Sequence, residues 1–348
     1  MNRPTHDRPP PDHPGPARAA SGRIDALPLA AQRALGPLAG TLDLSGVTDV
    51  FLNGSAGLWI RRGSTTEHVA GWSLDEDAAR ALAVGLIAAG GRHLDDRAPC
   101  QDVHLGAGIR VHAVLPPLSG SGTLLSLRIP QPEAPRLDAL VAGGLCDAET
   151  HRLLLDAVGA RKNLLITGGT GTGKTTLLAA LLGEVPAAER LVTIEDVAEL
   201  RIRHPHRIAL ESRQPNSEDA GGIGVERLLR EALRMRPDRL VLGECRGAEF
   251  QVLLSALNTG HDGGAGTVHA STLTELPARL EALGALAGLS APHLARQVVG
   301  AIHLIVHLET LGGHHRIAGI GAPRLESAGL LAIETRPGRA ERSPGTSP

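Results

Sequence analysis

Aromatic side chains are almost missing from this sequence, which has two Phe, two Trp and no Tyr in 348 residues. Its cores must therefore be built from Leu, Val, Ile and Ala. A protein that grips single strands by base stacking needs exposed aromatic platforms, and few are on offer. Cysteine is scarce too: Cys100, Cys146 and Cys245 lie far apart, in no CxxC or Cys/His metal spacing. A reduced chain without a disulfide framework is expected. Neither sign of charge dominates, with 35 basic and 37 acidic residues and a formal net charge of −2. No global field then recruits nucleic acid or anionic lipid, and direct nucleic-acid binding is not expected. No apolar run approaches the ~20 residues of a transmembrane helix. The first residues are rich in Pro, Arg and His and do not resemble a signal peptide. Any membrane contact is expected to come through a partner. Lysine is the most telling shortage, because Lys162 and Lys174 stand alone among 35 basic residues. A lysine that survives in so Arg-rich a background needs a chemical reason.

What is present falls into two parts between Pro-rich ends. Residues 1–22 and 337–348 lack periodicity and are expected to be disordered tails. Residues 23–130 read as a small α+β domain. Alternating runs at Val47–Asn53, Leu58–Arg62, Ile109–Leu115 and Leu124–Ile129 suggest strands. Ser73-x-x-Glu76 has the form of a capping box opening a helix, with Leu82, Leu86 and Ile87 on one face. The stretch 131–145 begins PQPEAP and reads as a linker. Over 146–336 apolar strands alternate with helices: Asn163–Thr167, then Thr175–Leu182; Leu191–Ile194; an amphipathic helix carrying Val225, Leu228, Leu229, Ala232 and Leu233; and Leu240–Leu242. That alternation argues for a parallel sheet covered on both faces.

The segment Gly168-Gly169-Thr170-Gly171-Thr172-Gly173-Lys174-Thr175 satisfies GxxxxGK[ST] and lies between an expected strand and an expected helix. Glycines let the backbone turn so that its N–H groups converge on phosphates, and the helix N-terminus adds positive potential. Lys174 would place a point charge on the β- and γ-phosphates, and the Thr175 hydroxyl, with Thr176 beside it, would face the metal. A flexible glycine linker is the bland alternative, which the strand–helix context disfavours. ATP and Mg²⁺ are the implied cofactors.

Leu240-Val-Leu-Gly-Glu244 is an apolar strand running into a carboxylate about 70 residues after this loop. An acid there can hold the Mg²⁺ shell and polarise water; alone, it would be a solvent-facing Glu. Thr193-Ile-Glu195-Asp196 is a second strand ending in acids. Either Glu195 or Glu244 is the base and the other chiefly a metal ligand; the sequence does not separate them. His269 ends a short strand, Thr267-Val-His-Ala270, behind a glycine-rich stretch. Alone, in a chain with 16 histidines, it would be a solvated side chain. His204-Pro-His206 and His314-His315 lack a third ligand and read as exposed turns.

Together, Arg236-Pro-Asp-Arg-Leu-Val-Leu-Gly-Glu-Cys-Arg-Gly247, Asn258-Thr-Gly-His-Asp-Gly263 and Thr267-Val-His-Ala270 resemble the type II/type IV secretion ATPase superfamily. The resemblance is greatest to its tight-adherence pilus and conjugal-transfer-associated branch. Thr193 to Leu200 is similar to the family's Asp box and His269 to its His box. The resemblance spans roughly 47–306. It implies a homo-hexamer with a RecA-like ATPase domain preceded by a PAS-like N-terminal domain, nucleotide sites between the two, and a membrane platform partner on the cytoplasmic side. It also implies that Arg110, Arg128 and Arg213 occupy positions of nucleotide-facing arginines, although each would otherwise pass for a surface residue. The sequence departs from the pattern at Gly264, where the family often has Ser, at Ser271, where it has Asn, and at His303, where it has an acid.

The leading expectation is thus an ATP-driven motor for pilus assembly, secretion or conjugal transfer. A DNA-handling RecA-like motor is disfavoured by charge and aromatic poverty. A nucleotide-gated, non-hydrolysing scaffold is disfavoured by intact Lys174, Thr175, Glu195 and Glu244. No LSGGQ-like signature suggests an ABC-type ATPase.

Overall fold

Alternation of apolar and polar residues at period two builds the first sheet, and continuous apolar runs build the second. The structure, a computed structural model, describes residues 24–63, 65–130, 134–213 and 221–337. The expected tail at 1–22 lies outside the described residues, as do the start of the expected linker and the tail beyond Pro337. The chain divides into two compact units, Met1–Pro130 and Gln131–Pro348.

The first unit opens with the short helices α1 (Leu29–Leu35) and α2 (Ala39–Leu42), then β1 (Val47–Asn53), β2 (Leu58–Arg62) and β3 (Thr65–His68). Helix α3 (Glu76–Ala89) leads to β4 (Cys100–Gly106), β5 (Ile109–Val114) and β6 (Leu124–Arg128). The six strands form one antiparallel sheet in the order β3-β2-β1-β6-β5-β4. Val50, Leu52, Ile60, Val111, Ala113, Leu125 and Leu127 point from one face into a core shared with Leu35 of α1 and Leu82, Leu86 and Ile87 of α3. The cap of α3 differs from the expected Ser73–Glu76 box. Asp75 is the N-cap and accepts the Ala78 N–H at 2.8 Å. Glu76 instead reaches across to Thr123, accepting from its backbone N–H at 2.9 Å and its hydroxyl at 2.6 Å. A carboxylate with two well-placed donors elsewhere is not available to close a box, and Asp75 satisfies the helix end in its place.

In the second unit, α4 (Leu137–Ala142) lies inside the 131–145 stretch, with Leu137 fully buried. Helix α5 (Ala148–Gly159) precedes β7 (Leu164–Gly168), α6 (Lys174–Leu182), β8 (Leu191–Glu195) and β9 (Arg207–Glu211). Then come α7 (Val225–Leu233), β10 (Arg239–Leu242), α8 (Glu249–Asn258), β11 (Ala265–His269), α9 (Leu276–Leu286) and α10 (Ala291–Ala301). Strands β12 (Leu304–Leu311), β13 (His314–Leu325) and β14 (Leu331–Pro337) finish the described chain. The sheet order is β14-β13-β12-β7-β11-β10-β8-β9. From β12 to β9 every pairing is parallel, whereas β12–β13 and β13–β14 are antiparallel. The sheet is therefore mixed, where a purely parallel one was expected. The turn at Gly312-Gly313, both at positive φ, lets the chain fold straight back.

Strands β7, β8 and β10 are buried at every position because both faces are covered. Leu164, Ile166, Val241 and Val306 pack on Leu154, Leu177 and Leu181 of α5 and α6. Leu165, Ile194, Val268 and Ile305 pack on Leu229, Phe250, Leu280 and Leu294 of the helices opposite. Two polar side chains lock the strand starts. Asn163 donates to the Ala301 carbonyl at 2.7 Å and accepts from the N–H groups of Gly263 and Gly264 at 2.8 and 3.0 Å. Arg239, 2 % exposed, pairs with Glu189 through Nε at 2.7 Å and donates to the Val158 carbonyl at 2.9 Å. Arg161 holds the same carboxylate at 2.6 Å. Removing one side of a buried pair strands the other charge, at about 3–5 kcal/mol. Arg239→Ala is expected to lower the unfolding free energy of this unit by that amount. Equilibrium denaturation followed by far-UV circular dichroism measures it, and a loss under about 1 kcal/mol would show Glu189 to be satisfied by Arg161 alone.

Candidate nucleotide site

The loop between β7 and α6 has backbone that favours glycine at Gly168, Gly171 and Gly173. A Cβ on Gly168 would stand 2.5 Å from the Leu308 carbonyl oxygen and 2.6 Å from Thr172 Oγ1. Gly171 and Gly173 sit at φ +73° and +88°, in the left-handed region. Thr172 Oγ1 donates to the Gly169 carbonyl at 3.0 Å and braces the turn from within. Gly173 is the N-cap of α6 and has no side chain to cap with, so first-turn N–H groups are left for another acceptor. Thr175 and Thr176 occupy that first turn, half-buried.

Lys174 folds into the concavity of its own loop. Its ammonium donates to the carbonyls of Gly168 at 2.9 Å and Gly169 at 2.6 Å, and to His269 Nδ1 at 3.2 Å. Three protons meet three acceptors. An ammonium cannot accept, so Nδ1 of His269 must be unprotonated and its proton sits on Nε2. Nε2–H then donates to Thr170 Oγ1 at 2.8 Å. Burial depresses the Lys174 pKa, opposed by the charge of Glu244. Burial and the Lys174 charge depress that of His269. His269, which alone would be a solvated side chain, is here a neutral imidazole clamped between two loop residues, opposite Gly168 in the β11–β7 register.

The two acids end neighbouring strands but live in different surroundings. Glu195 is 5 % exposed, and one of its oxygens accepts the N–H groups of Glu199 and Leu200, each at 3.0 Å. Burial outweighs those bonds and lifts its pKa to about 7. Gly243 makes room for it, since a Cβ there would stand 2.6 Å from Glu195 Cγ. Glu244 is more open and accepts from Arg246 Nε at 2.8 Å. The Thr267 hydroxyl donates to the Gly243 carbonyl at 2.7 Å, tying this strand end to β11. Among the described residues no cluster of three or more His, Cys, Asp or Glu forms a metal cage. Mg²⁺ takes one or two protein oxygens beside phosphates and water. The hydroxyl of Thr175 and the two acids are hard oxygen donors of that kind, so the residues fit the ion.

The structure thus brings Gly168 to Lys174, His269, Glu195 and Glu244 to one end of the second sheet. Arg213 bridges backbone to backbone with Ile223, and its Nε donates to the Gly221 carbonyl at 2.7 Å. Arg110 and Arg128 belong to the first unit, where they face each other across β5 and β6. Two of the three departures find local reasons, at Gly264 and His303. A Cβ on Gly264 would stand 2.4 Å from Leu257 Cδ2 and 2.8 Å from the Leu240 oxygen, which leaves no room for Ser. His303 Nδ1 accepts the Asn163 N–H at 2.9 Å, and Ser271 is engaged through its carbonyl, by His307 Nε2 at 3.2 Å. Sequence reasoning read His315 as part of an exposed turn and passed over His307. His315 places its ring over the loop, 3.7 Å from where a Gly173 Cβ would be. His307 is buried in β12, and its signal was a lone polar residue inside the apolar run Leu304–Leu308.

Residues 86–317 match the type II/IV secretion system protein family. A Mycobacterium tuberculosis protein named for conjugal transfer is 46% identical over 299 residues, covering 84% of this chain and 85% of its own length. The conjugal transfer protein TrbB of Rhizobium radiobacter is 33% identical over 282 residues, covering 79% and 83%. Of solved structures, the pilus retraction motor PilT with bound ADP has a TM-score of 0.56 at 20% identity, over 85% of this chain and 80% of that one. The Legionella pneumophila ATPase DotB has a TM-score of 0.55 at 19% identity, over 89% and 80%. At such identities the likeness is one of fold.

Glu195 makes stability depend on pH in a stated direction. Its folded pKa of about 7 lies above the ordinary 4.5. Between those values the fold keeps a proton that the unfolded chain has lost. The contribution is full below the unfolded pKa and is lost as pH rises through about 7, by about 3 kcal/mol in all. Glu195→Gln retains an acceptor for the two amides and cannot ionise. The variant is expected to melt higher than the parent at pH 8 and to lack this slope. Melting curves across the window check it, and an unchanged slope would place the titration elsewhere.

Proposed function

Since the chain belongs to the type II/IV secretion system protein family, we propose that it is an ATP-hydrolysing motor powering conjugal transfer, pilus assembly or protein secretion. The observation that carries this is the clamp of Lys174 by its own loop and His269, beside a buried carboxyl whose pKa is about 7. In this proposal the loop N–H groups and the first turn of α6 take the phosphate oxygens of ATP. Lys174 exchanges two carbonyls and an imidazole for β- and γ-phosphate oxygens, which releases His269 to sense the γ-phosphate. Mg²⁺, when bound, would neutralise phosphate charge from the side of Thr175 and the acids. Glu195, poised near neutrality, suits a base that takes a proton from the attacking water. Glu244, more open and ion-paired, suits the metal shell.

The second unit is proposed to be a RecA-like ATPase domain, and the first, with its single-faced antiparallel sheet, the PAS-like partner. The working form is proposed to be a homo-hexamer on the cytoplasmic face of the membrane, docked on an inner-membrane platform protein. No helix among the described residues is long and apolar enough to cross a membrane, in keeping with contact through such a partner. Arg110, Arg128 and Arg213 are proposed to meet the charge that builds on the transferred phosphoryl group, because a planar guanidinium binds two oxygens at once.

Lys174→Ala is expected to abolish Mg²⁺-ATP turnover by the assembled protein, and retention of most activity would sink the assignment. Glu195→Gln and Glu244→Gln should each bind ATP yet turn over at least ~10²-fold more slowly. The acid limb of the pH–rate profile, near 7, should depend on Glu195; a limb that survives its replacement would give the base to Glu244.

Arg110→Ala and Arg128→Ala are expected to keep nucleotide affinity within about tenfold and to lose most turnover. Mixing either with Lys174→Ala should restore activity if the arginine acts across a subunit boundary. Normal turnover in both would remove these arginines from the mechanism.

A further inference from the structure

His307 is a buried imidazole outside the clamp, on the strand that flanks β7 on the side away from β11. It stands opposite Thr167 in the β12–β7 register, one residue before Gly168 begins the loop. Its Nδ1 is 2.8 Å from the Thr167 hydroxyl, and its Nε2 is 3.2 Å from the Ser271 carbonyl oxygen. A carbonyl only accepts, so Nε2 carries the proton, and Nδ1 must accept from Thr167. Both ring nitrogens are therefore committed, and the ring is 5 % exposed.

The position of Ser271 gives this arrangement its meaning. β7 lies between β11 and β12. Ser271 follows β11 by two residues, so the chain leaving His269 must pass over β7 to meet a side chain from β12. The ring thus holds together the last side chain before the phosphate loop and the carbonyl two residues after His269. Thr167 and Ile305 with Leu165 show the face involved: Leu165 and Ile305 pack with the α8 to α10 core, opposite to α6. His307 is on the same face as Ile305, two residues along the strand. It grips the exit of His269 from behind while Lys174 and Thr170 grip its ring from the front.

We propose that His307 is a positioning residue for ATP hydrolysis, fixing the place and tautomer of His269 through the Ser271 carbonyl. The inference depends on ATP being hydrolysed at this site, as proposed above. The Nε2–H arm is the working one. Without it, the 269–271 segment loses its anchor, and His269 can leave the geometry in which it hands Lys174 to the phosphates. Because the contact is to a main-chain carbonyl, any residue at 271 can serve, and the Ser found there is no impediment.

Two substitutions separate the arms in the full-length protein. His307→Gln keeps an N–H near the Nε2 position and so retains the donor to Ser271. His307→Asn keeps an acceptor near the Nδ1 position for Thr167 and loses that donor. In His307→Asn, kcat should fall about 10- to 100-fold, the scale of a small misplacement at a reacting centre. KM and the dissociation constant of Mg²⁺-ADP should stay within about threefold, since the loop itself is untouched. His307→Gln should recover kcat to within about threefold of the parent. The ¹⁵N signals of the His269 ring, assigned by comparison with His269→Gln, should report the Nε2–H tautomer in the parent and in His307→Gln, and a mixture in His307→Asn. Equal losses in both variants that follow the melting temperature would overturn the proposal, as would an unchanged His269 ring in His307→Asn. A parent protein without Mg²⁺-ATP turnover would instead sink the hydrolytic function, while the ring signals still test the link between His307 and His269.

Discussion

Everything in the second unit is arranged around one strand that is hydrogen-bonded in parallel on both sides. β7 pairs with β11 and with β12 over the same five residues, Leu164 to Gly168. Its side chains are buried on both faces as well. A strand held in this way has almost no freedom at its C-terminal end, so the loop that follows starts from a fixed point. Gly168 is required there by contact, because β12 brings the Leu308 carbonyl into the space a side chain would need. The strand start is held just as firmly, through Asn163 and its links to Gly263, Gly264, Ala301 and His303. A loop that must present N–H groups within tenths of an ångström gains from such a mounting, since positioning on rigid elements is what makes binding geometry repeatable.

The glycine loop before α6 was legible in the sequence because its backbone forces residue types. Left-handed backbone at Gly171 and Gly173 and a steric limit at Gly168 leave glycine as the ready choice. Glu195 and Glu244 were legible as strand-end acids, but their difference was not. It comes from the burial of Glu195 against Gly243, which only the pairing of β8 with β10 brings close, and from the exposure of Glu244 beside its near neighbour Arg246. His269 was visible only by resemblance, since its partners Thr170 and Lys174 lie nearly a hundred residues away. The expected capping box failed for a similar reason. Thr123, 47 residues from Glu76, offers that carboxylate two donors that no local pattern announces. The antiparallel extension of the sheet escaped because helix–strand alternation carries no information about strands added after the last helix.

Poverty in lysine makes the chemistry of the loop sharper. Lys174 keeps its amine where arginine is otherwise almost universal, and the geometry says why. Its ammonium is a compact charge whose three protons meet two carbonyls and one imidazole nitrogen within 3.2 Å. A guanidinium spreads five donors across a plane and could not sit inside a turn this tight without opening it. The same compactness suits exchange. A point charge can leave one set of oxygens for another by rotation of a flexible stem, with little rearrangement of the loop.

Burial at this site divides the ionisable groups into complementary roles. It pushes a carboxyl toward neutrality and keeps an imidazole unprotonated, and it weakens the hold of Lys174 on its proton. All three shifts have desolvation as their largest cause, so all three respond to whatever enters the site. A polyanion set against Lys174 restores the preference of that amine for its charge. In turn it draws the ammonium away from His269 Nδ1, which is then free to gain a proton or a new donor. Glu195 is farther along the sheet edge, with one oxygen already engaged by two amides. Separation of pKa values by environment, from groups that would otherwise titrate far from neutrality, is how a single fold holds an acid and a base side by side. Here the burial that lifts the Glu195 pKa follows from where its strand stops, because Glu195 ends β8 inside the covered layer, whereas Glu244 emerges two residues past the end of β10.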